Sequence, residues 1–342
     1  MEQVIQEGKA FIKVSDEKKI SKKLPVFYNP VMKLNRDISI LLLNSISDKQ
    51  MQLALPLAGS GVRAIRFLLE LKKNKILHLY LNDYKEDFFE TIENNFTLNN
   101  LPEIKKTIYN LDANQFMIES SGFDYIDIDP FGTPNPFLDN AIRRLSRNGI
   151  LAVTATDTSS LSGTYENACK RKYWAKPLRN EWKHEVGVRI LIRKVQLVAA
   201  QYEKALTPIL SYSKDHYFRL FFRCEKGKEK VDKVLKQHEF FHTAGPLWVG
   251  SLQDKKLVKK MLKNSDGEAE KLLRIIDEEL EIVGFHDIHR ICEKMKIHVP
   301  KYELLMNKIK ERGHRVSRTH FSGFGIKSDI SREEIEVLLK NE

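Results

Sequence analysis

The sequence predicts a doubly wound α/β fold followed by a second, smaller α+β domain, and three observations support this prediction. Between about residues 52 and 153, short apolar runs alternate with amphipathic stretches, which is typical of a parallel sheet with crossover helices. A glycine-rich turn follows the first apolar run and opens a helix. Beyond residue 250 the composition changes to lysine-rich amphipathic helices. We therefore expect a first domain over residues 1–250 and a second over residues 251–342.

Each element of the first domain is predicted from its apolar pattern and its flanking turns. The expected strands are Leu53–Leu57, Ile76–Leu81, Thr107–Leu111, Tyr125–Ile128 and Ile150–Ala155. The helices expected between them are Arg63–Leu71, Lys85–Leu98 and Phe137–Leu145. A long helix from about Glu185 to Leu206 and an antiparallel strand over His216–Cys224 would complete the domain at one edge of the sheet.

The second domain is expected to contain helices followed by a short β element. The helices are predicted near residues 254–263, 268–282, 287–296 and 301–312, and the strand near residues 315–321. Helices that end in a small β element suggest a winged-helix arrangement.

The composition narrows the class of protein. The 57 basic and 46 acidic residues give a net charge of +11, which predicts a polyanionic partner such as nucleic acid, although a basic solvated surface explains the charge equally well. The cysteines Cys169, Cys224 and Cys292 are far apart, so neither a disulfide framework nor a thiolate zinc site is indicated. No apolar run approaches the ~20 residues of a membrane span. We expect a cytoplasmic protein with no membrane association and no obligate protein partner.

The glycine-rich turn is a candidate cofactor site. Gly59, Gly61 and Ala64 match the G-x-G-x-x-A variant of the dinucleotide fingerprint, and Asp83 follows at the end of the next predicted strand. Glycines allow a ligand to approach the start of a helix without a Cβ in the way, and a carboxylate can accept from both ribose hydroxyls. A nicotinamide dinucleotide and another nucleoside cofactor both fit this pattern. The structural alternative is helix packing by the glycines and helix capping by Asp83.

Acidic residues after the later strands favour a particular kind of cofactor. The third predicted strand ends in Asp112-Ala113, where an acid and a backbone NH could read an adenine edge, and the fourth ends near Asp127 and Asp129. Carboxylates at three neighbouring strand ends suit a nucleoside with a small sulfonium group better than a pyrophosphate, which they would repel.

The string Asp129-Pro130-Phe131-Gly132 is the most informative motif of the chain. An exocyclic amino group on a nucleobase is a weak nucleophile, because its lone pair is delocalised into the ring. Asp129 could accept one of its hydrogens and take the proton, while the Pro130 carbonyl accepts the other. Phe131 could stack on the base, which would have to swing out of its helix. A turn that merely begins with an aspartate is the alternative, and placement after the fourth strand favours the catalytic interpretation.

At this point the sequence resembles the tRNA (guanine-26, N2) dimethyltransferases of archaea and eukaryotes. The matching strings are Glu7-Gly8-Lys9-Ala10, residues 26–32 (VFYNPVM), Asn35-Arg36-Asp37, residues 60–66 (SGVRAIR), Asp129-Pro130-Phe131-Gly132, Cys169, residues 176–179 (KPLR), residues 184–187 (HEVG), residues 245–248 (GPLW) and residues 317–321 (SRTHF). The resemblance implies a class I methyltransferase domain with a family-specific C-terminal domain that binds tRNA. It also implies S-adenosylmethionine as methyl donor and guanine N2 at position 26 as target.

Several site residues are implied by the same resemblance. Arg36 and one arginine of the glycine-turn helix would contact the donor. Arg63 and Arg66 lie three apart on one helix face, so either could hold the methionine carboxylate. Asp83 would bind the ribose, and Asp112 with Ala113 the adenine edge. Many relatives carry paired cysteines shortly before the string that matches residues 245–248, and their absence here predicts no metal site.

Two weaker patterns concern metal and RNA. His238-Glu239-Phe240-Phe241-His242 matches the H-E-x-x-H zinc motif if a helix continues through it, although Gly245-Pro246 would end such a helix directly afterwards. The candidate phosphate-contacting groups are Lys18, Lys19, Lys22 and Lys23, then Lys170, Arg171 and Lys172, then Lys255, Lys256, Lys259 and Lys260. A further candidate RNA-contacting cluster consists of Arg315, Arg318 and His320 beside Phe321.

Alternatives to the tRNA methyltransferase remain open from the residues. Another exocyclic-amine methyltransferase, for example one acting on adenine N6 in DNA, would use the same Asp-Pro-Phe chemistry. A nicotinamide-dependent oxidoreductase would use the glycine turn. A catalytically silent RNA-binding protein would need only the basic surface, and the intact Asp129 argues against it.

Overall fold

The helices and strands of the protein follow one another along residues 2–15, 28–46 and 49–340, which the computed structural model describes. The first elements are β1 (Glu2–Glu7), β2 (Ala10–Ser15), a 3-10 turn (Pro30–Met32) and α1 (Lys33–Ser45). The next are β3 (Met51–Leu55), α2 (Val62–Glu70), β4 (Ile76–Asn82), α3 (Phe88–Thr97), β5 (Lys106–Tyr109), α4 (Ala113–Glu119), β6 (Phe123–Ile128), α5 (Asn135–Arg144) and β7 (Leu145–Ala155). Then come α6 (Thr158–Leu161), α7 (Glu166–Tyr173), α8 (Lys183–Ala200), β8 (Lys204–Lys214), β9 (Tyr217–Lys226), α9 (Lys228–Leu235), β10 (His238–Phe241) and β11 (Ala244–Trp248). The last are α10 (Lys255–Leu262), α11 (Gly267–Glu278), β12 (His286–Asp287), α12 (Ile288–Met295), α13 (Tyr302–Glu311), β13 (Val316–Thr319), β14 (Ser322–Ser328) and α14 (Arg332–Lys340).

A seven-stranded sheet with the order β5-β4-β3-β6-β7-β9-β8 forms the centre of the molecule. The strands from β5 to β7 are parallel, and β9 runs antiparallel to both β7 and β8. The chain builds outward from β3 in one direction and then from β6 in the other, so the topological switch lies between these two strands. The predicted doubly wound fold class is confirmed, and its ligand crevice is expected at the carboxyl ends of β3 and β6.

Burial on both faces explains why the parallel strands are apolar throughout. Leu53 and Leu55 of β3 are buried with apolar residues of α1 and α2, whereas Ala54 packs in the opposite layer with residues of α5 and α8. The same alternation continues in β6, where Tyr125 and Ile126 belong to opposite layers. Because both layers are filled, the strand positions and hence the strand ends are fixed.

The antiparallel edge of the sheet differs from the prediction. The helix expected to reach Leu206 ends at Ala200, and β8 begins at Lys204 and pairs along its length with β9. Pro208 lies at a register shift of this edge strand, where a missing backbone NH is tolerated. The pairing with β9 therefore overrides the helical pattern that continues into residues 204–206 of the sequence.

The last third of the chain contributes to two cores. Helices α10 and α11 bury apolar residues against α1, in the same cluster as β3 and β4. Apolar residues of α12, α13, β14 and α14 form a separate cluster beside a three-stranded sheet of order β12-β14-β13. The division of the chain at residue 250 stays a prediction.

Candidate active site

A cavity of about 270 Å³ opens at the carboxyl ends of β3, β4 and β6, next to the topological switch. Its walls contain the glycine turn, two arginines, three carboxylates and the Asp-Pro-Phe string. The lining residues are Tyr28, Asn29, Met32, Arg36, Leu55, Leu57, Ala58, Gly59, Ser60, Val62, Arg63, Asp83, Tyr84, Lys85, Asp127, Asp129, Pro130, Phe131, Phe137 and Thr156. The sequence predicted the glycine turn, Arg36, Asp83 and the Asp-Pro-Phe string, and the fold brings them to one cavity.

The glycine turn is fastened to the end of β4. Gly59 and Gly61 both have left-handed backbone conformations, with φ of 55° and 77°, and a Cβ on Gly61 would overlap the side chain of Ile92. The backbone NH of Gly59 donates to Asp83 Oδ2 over 2.8 Å, and Lys85 N donates to Asp83 Oδ1 over 3.2 Å. Asp83 therefore holds the turn in place and also faces the cavity.

Beneath the cavity lies a buried charge network that sequence reasoning missed. Arg219 donates to both oxygens of Asp127, over 2.7 and 2.8 Å, and Tyr125 Oη donates to Asp127 Oδ2 over 2.6 Å. Burial acts to raise the pKa of Asp127, but the charges of Arg219 and Arg63 outweigh it and hold the pKa at about 2. The sequence signal for this network was Arg219, because an arginine within the apolar strand β9 is a buried cation and needs a buried anion.

Arg63 connects this network to the candidate catalytic carboxylate. Its Nη2 donates to Asp129 Oδ2 over 2.5 Å and to Asn35 Oδ1 over 2.9 Å, while its Nη1 lies 3.2 Å from Asp127 Oδ2. The Asp129 side chain is 21 % exposed and faces the cavity. Arg63 therefore holds two carboxylates of the cavity lining at once, the buried Asp127 and the partly exposed Asp129.

Arg36 and Arg66 are positioned by the hairpin β1–β2. Glu7 accepts from Arg36 Nε over 2.7 Å and from Arg66 Nη1 over 2.9 Å. Although burial opposes it, Arg36 holds the pKa of Glu7 at about 2. Arg66 also pairs with Asp37 and Glu70, and it lies outside the cavity lining. Of the two arginines that the sequence left as alternatives, Arg63 is the one that faces the cavity.

The Asp-Pro-Phe string is held by the end of β7 and by α7. Gly132 N donates to Thr156 Oγ1 over 2.7 Å, and Thr156 N donates to the Gly132 carbonyl over 2.9 Å. One residue further, the hydroxyls of Thr133 and Tyr173 lie 2.9 Å apart. Phe131 is 41 % exposed at the cavity mouth. The string thus has a fixed backbone and an aromatic ring at the entrance.

The two residues predicted to contact the adenine of the methyl donor, Asp112 and Ala113, lie outside the cavity lining. Asp112 Oδ1 accepts from the backbone NH groups of Asn114 and Gln115, so this carboxylate caps α4. Ala113 is buried as the first residue of that helix.

The predicted RNA-contacting residues have mixed environments. Lys170 pairs with Glu166, Lys172 with Asp157 and Arg315 with Asp329, whereas Arg171 and Arg318 are exposed. The Lys255 side chain donates to backbone carbonyls at the end of α11, and Lys18, Lys19, Lys22 and Lys23 lie outside the described residues, as do positions 26 and 27.

The prediction that His320 and Phe321 contact RNA is wrong. The His320 side chain is fully buried and its Nδ1 bonds to Glu279 Oε2 over 2.5 Å. Phe321 is also buried. These residues belong to a buried network that joins β13 and β14 to the end of α11.

The helix required by the H-E-x-x-H pattern is absent from this segment. Residues 238–241 form β10, which pairs antiparallel with β11, and His238 Nε2 lies 2.8 Å from Gln196 Oε1. Within residues 2–15, 28–46 and 49–340, no group of three or more histidine, cysteine or acidic side chains could hold a metal ion. In the same residues, no helix is long and apolar enough to cross a membrane.

The fold and the site together define a Rossmann-like methyltransferase. The strand order is that of a doubly wound sheet. One cavity contains the glycine turn, the aspartate after β4 and the Asp-Pro-Phe string after β6. The chain belongs to the N2,N2-dimethylguanosine tRNA methyltransferase family, whose model matches residues 8–242 and 236–340.

Two relatives and one solved structure are similar to this chain over nearly its whole length. The tRNA (guanine(26)-N(2)/guanine(27)-N(2))-dimethyltransferase of Aquifex aeolicus is 40% identical and covers 97% of this chain and 94% of its own. The tRNA (guanine(26)-N(2))-dimethyltransferase of Pyrococcus horikoshii is 39% identical over 96% of each chain. The structure of Trm1 from Pyrococcus horikoshii with S-adenosyl-L-methionine has a TM-score of 0.86 at 39% identity, over 97% of this chain and 98% of that one.

Proposed function

We propose that the protein transfers methyl groups from S-adenosylmethionine to the exocyclic N2 of guanine 26 in tRNA, forming N2-methylguanosine and then N2,N2-dimethylguanosine. The observation that carries the proposal is the position of Asp129, Pro130 and Phe131 on the same cavity as Arg63 and Asp83. The names of the Aquifex and Pyrococcus relatives support guanine N2 in tRNA as the target.

The residues present fit the donor. S-adenosylmethionine supplies a methyl group on a positively charged sulfur. Arg63 and Arg36 face the cavity and can hold the donor carboxylate, and Asp83 has a carboxylate for the ribose hydroxyls. Gly59 and Gly61 let the turn approach the ligand closely. Asp112 and Ala113 lie outside the cavity lining, but they follow β5, whose carboxyl end lies beside that of β4, and the proposal assigns the adenine edge to them.

The acceptor base would meet the Asp-Pro-Phe string. Asp129 accepts one hydrogen of the guanine amino group and takes the proton as the bond from nitrogen to the methyl carbon forms and the bond from that carbon to sulfur breaks. The Pro130 carbonyl accepts the other hydrogen. Both acceptors draw electron density onto the nitrogen and aim its lone pair at the methyl group. Phe131 stacks on the base, a contact worth roughly 1–3 kcal/mol. Because the amino group is inaccessible inside a helix, the base must be flipped out.

The same proposal assigns residues 251–342 to tRNA binding. Helices α12 and α13 followed by the hairpin β13–β14 have the element order of a winged-helix unit, and the three strands pair in the order β12-β14-β13. The exposed Arg318 and the ion-paired Arg315 lie on or beside this hairpin. Residues 170–172 on α7 supply positive charge near the cavity, since Lys172 contacts Asp157 and its carbonyl accepts from Asn135. These charges would contact tRNA phosphates.

Methylation of unmodified tRNA with methyl-labelled donor tests the proposal. The expected product is labelled N2,N2-dimethylguanosine at position 26, and a tRNA with adenine at that position is the matched control. Label at position 27 in addition would match the activity named for the Aquifex relative. Label only in DNA, or none in tRNA while the donor binds, would refute the proposed function.

A further inference from the structure

Helix α7 ends in an exposed tryptophan next to the candidate active site. Trp174 directly follows Tyr173, whose hydroxyl bonds to Asp157 over 2.7 Å and lies 2.9 Å from the Thr133 hydroxyl. The carbonyl of Lys172 accepts from the side chain of Asn135 over 2.9 Å. The end of α7 is therefore fixed to the segment that follows the Asp-Pro-Phe string.

The conformation of Trp174 is unusual for a residue with a large side chain. It caps α7 with φ 56° and ψ 37°, in the left-handed region where glycine is the common residue. Its side chain is not buried in exchange, because Trp174 is 49 % exposed. About half of the tryptophan is therefore exposed at a backbone position that glycine would occupy without strain, which favours an aromatic surface presented to a partner.

Two cations contact Trp174, one at the indole ring and one at the backbone carbonyl. The Nζ of Lys194 lies 2.9 Å from the centroid of the Trp174 ring, and Lys194 is only 6 % exposed. Arg193 Nη1 donates to the Trp174 carbonyl over 3.2 Å, and its Nε is buried with no partner. In the part of the chain that the structure describes, no acidic side chain pairs with either cation. Burial and the charge of Arg193 lower the pKa of Lys194 to about 8, and burial lowers the pKa of Arg193.

The surroundings extend this positive charge. The neighbouring exposed basic residues are Lys170, Arg171, Lys172, Lys176 and Arg179. Of these, Lys170 pairs with Glu166 and Lys172 with Asp157. An exposed aromatic ring beside two cations that have no carboxylate partner matches a ligand with both a flat ring and a negative charge, which is the chemistry of a nucleotide.

We propose that Trp174, Arg193 and Lys194 form a subsite for one unpaired nucleotide of the tRNA, distinct from the guanine that is methylated. The indole stacks on the base, and the two cations supply positive charge for the adjoining phosphate. The subsite rests on the proposed function for its ligand, since the strand that presents the flipped guanine must continue past the cavity mouth. Its role is to hold a flanking nucleotide and so fix the position of the target base.

Steady-state kinetics with variants of Trp174 and a control variant provides the first test. Trp174→Ala should raise the KM for tRNA about tenfold at unchanged kcat, because the stacking contact is lost. The KM of Trp174→Phe should lie between those of the wild type and Trp174→Ala. Phe89→Ala, which removes another exposed aromatic ring on α3, should leave the KM unchanged. Binding of S-adenosylhomocysteine should be the same in all of them. Should Trp174→Ala unfold, Trp174→Phe and Arg193→Gln carry the test.

Intrinsic fluorescence reports the contact without catalysis. The chain has three tryptophans, and Trp248 is buried. Unmodified tRNA should quench the emission of Trp174, so the change should disappear in Trp174→Phe and persist in Trp182→Phe. Arg193→Gln, which removes the partly exposed cation at the Trp174 carbonyl, should reduce the salt dependence of tRNA binding by about one phosphate contact.

The outcomes separate the subsite from the proposed function. If the wild-type protein methylates tRNA and Trp174→Ala has the wild-type KM and no loss of quenching, the subsite is refuted and the function stands. If tRNA quenches Trp174 but no tRNA is methylated, the subsite stands and the proposed function fails.

Discussion

The substitution Asp129→Asn separates the two roles that the structure gives to this carboxylate. The amide keeps the size and one acceptor oxygen of the aspartate but cannot take a proton. Loss of a positioned general base typically lowers kcat by about 10²–10⁴-fold. We therefore expect methyl transfer to fall by this factor at saturating tRNA, measured in single-turnover assays with labelled donor.

The same substitution should strengthen donor binding. Arg63 faces the cavity, and its Nη2 lies 2.5 Å from Asp129 Oδ2. The carboxylate of the methyl donor would have to compete with Asp129 for this arginine. Since Asp129 is partly exposed, the lost pair is worth about 1 kcal/mol, which corresponds to roughly fivefold tighter binding of S-adenosylhomocysteine. Methylthioadenosine has no carboxylate, so its affinity should not change. Arg63 keeps Asp127 and Asn35 as partners, so the melting temperature should fall by only about 2–4 °C.

The single-turnover assay tests the general-base role, and titration calorimetry with S-adenosylhomocysteine and methylthioadenosine tests the competition for Arg63. A wild-type kcat in Asp129→Asn would refute the general-base role. Equal affinities of wild type and variant for S-adenosylhomocysteine would refute the competition for Arg63. The variant Arg63→Gln with Asp129→Asn is the control, because without the arginine the second change should no longer affect donor affinity.

Three further predictions follow from the site and the core. Asp83→Ala should weaken donor binding by tenfold or more in calorimetry, because it removes the ribose acceptor and frees the Gly59 turn; an unchanged affinity would contradict the ribose assignment. Gly61→Ala should lower the free energy of unfolding in urea by about 1–3 kcal/mol, since φ is 77° and the new methyl group would meet Ile92. The control is Gly323→Ala, which should change this free energy less, because no atom lies within 4 Å of a Cβ at Gly323. Burial opposes ionisation of Glu279, but His320 and Lys327 hold its pKa at about 2, below the usual 4.5. Its contribution to stability is therefore complete above pH 4.5 and lost as the pH falls toward 2, and Glu279→Gln should flatten this acid dependence in urea titrations at several pH values.

Much of the candidate site could be predicted from the sequence, because a parallel sheet collects its strand ends at one edge. Once the apolar runs identify β3, β4 and β6, the residues that follow them must converge, whatever the details of packing. Asp83 and Asp129 directly follow β4 and β6, Gly59 lies four residues after β3, and all three line the cavity. For these residues the local pattern and the position in the fold carry the same information.

Only the tertiary structure decided which charged residues face the cavity and which are neutralised elsewhere. Arg63 and Arg66 are equivalent in the sequence, and the hairpin that brings Glu7 to Arg66 turns one of them away from the cavity. His320 lies among basic and aromatic residues that are typical of RNA contacts. Its side chain is nevertheless buried and pairs with Glu279, which is distant in the sequence. Trp174 and Lys194 meet only because α7 packs on α8. The role of a charge depends on the partner that long-range packing supplies, and no local pattern contains that partner.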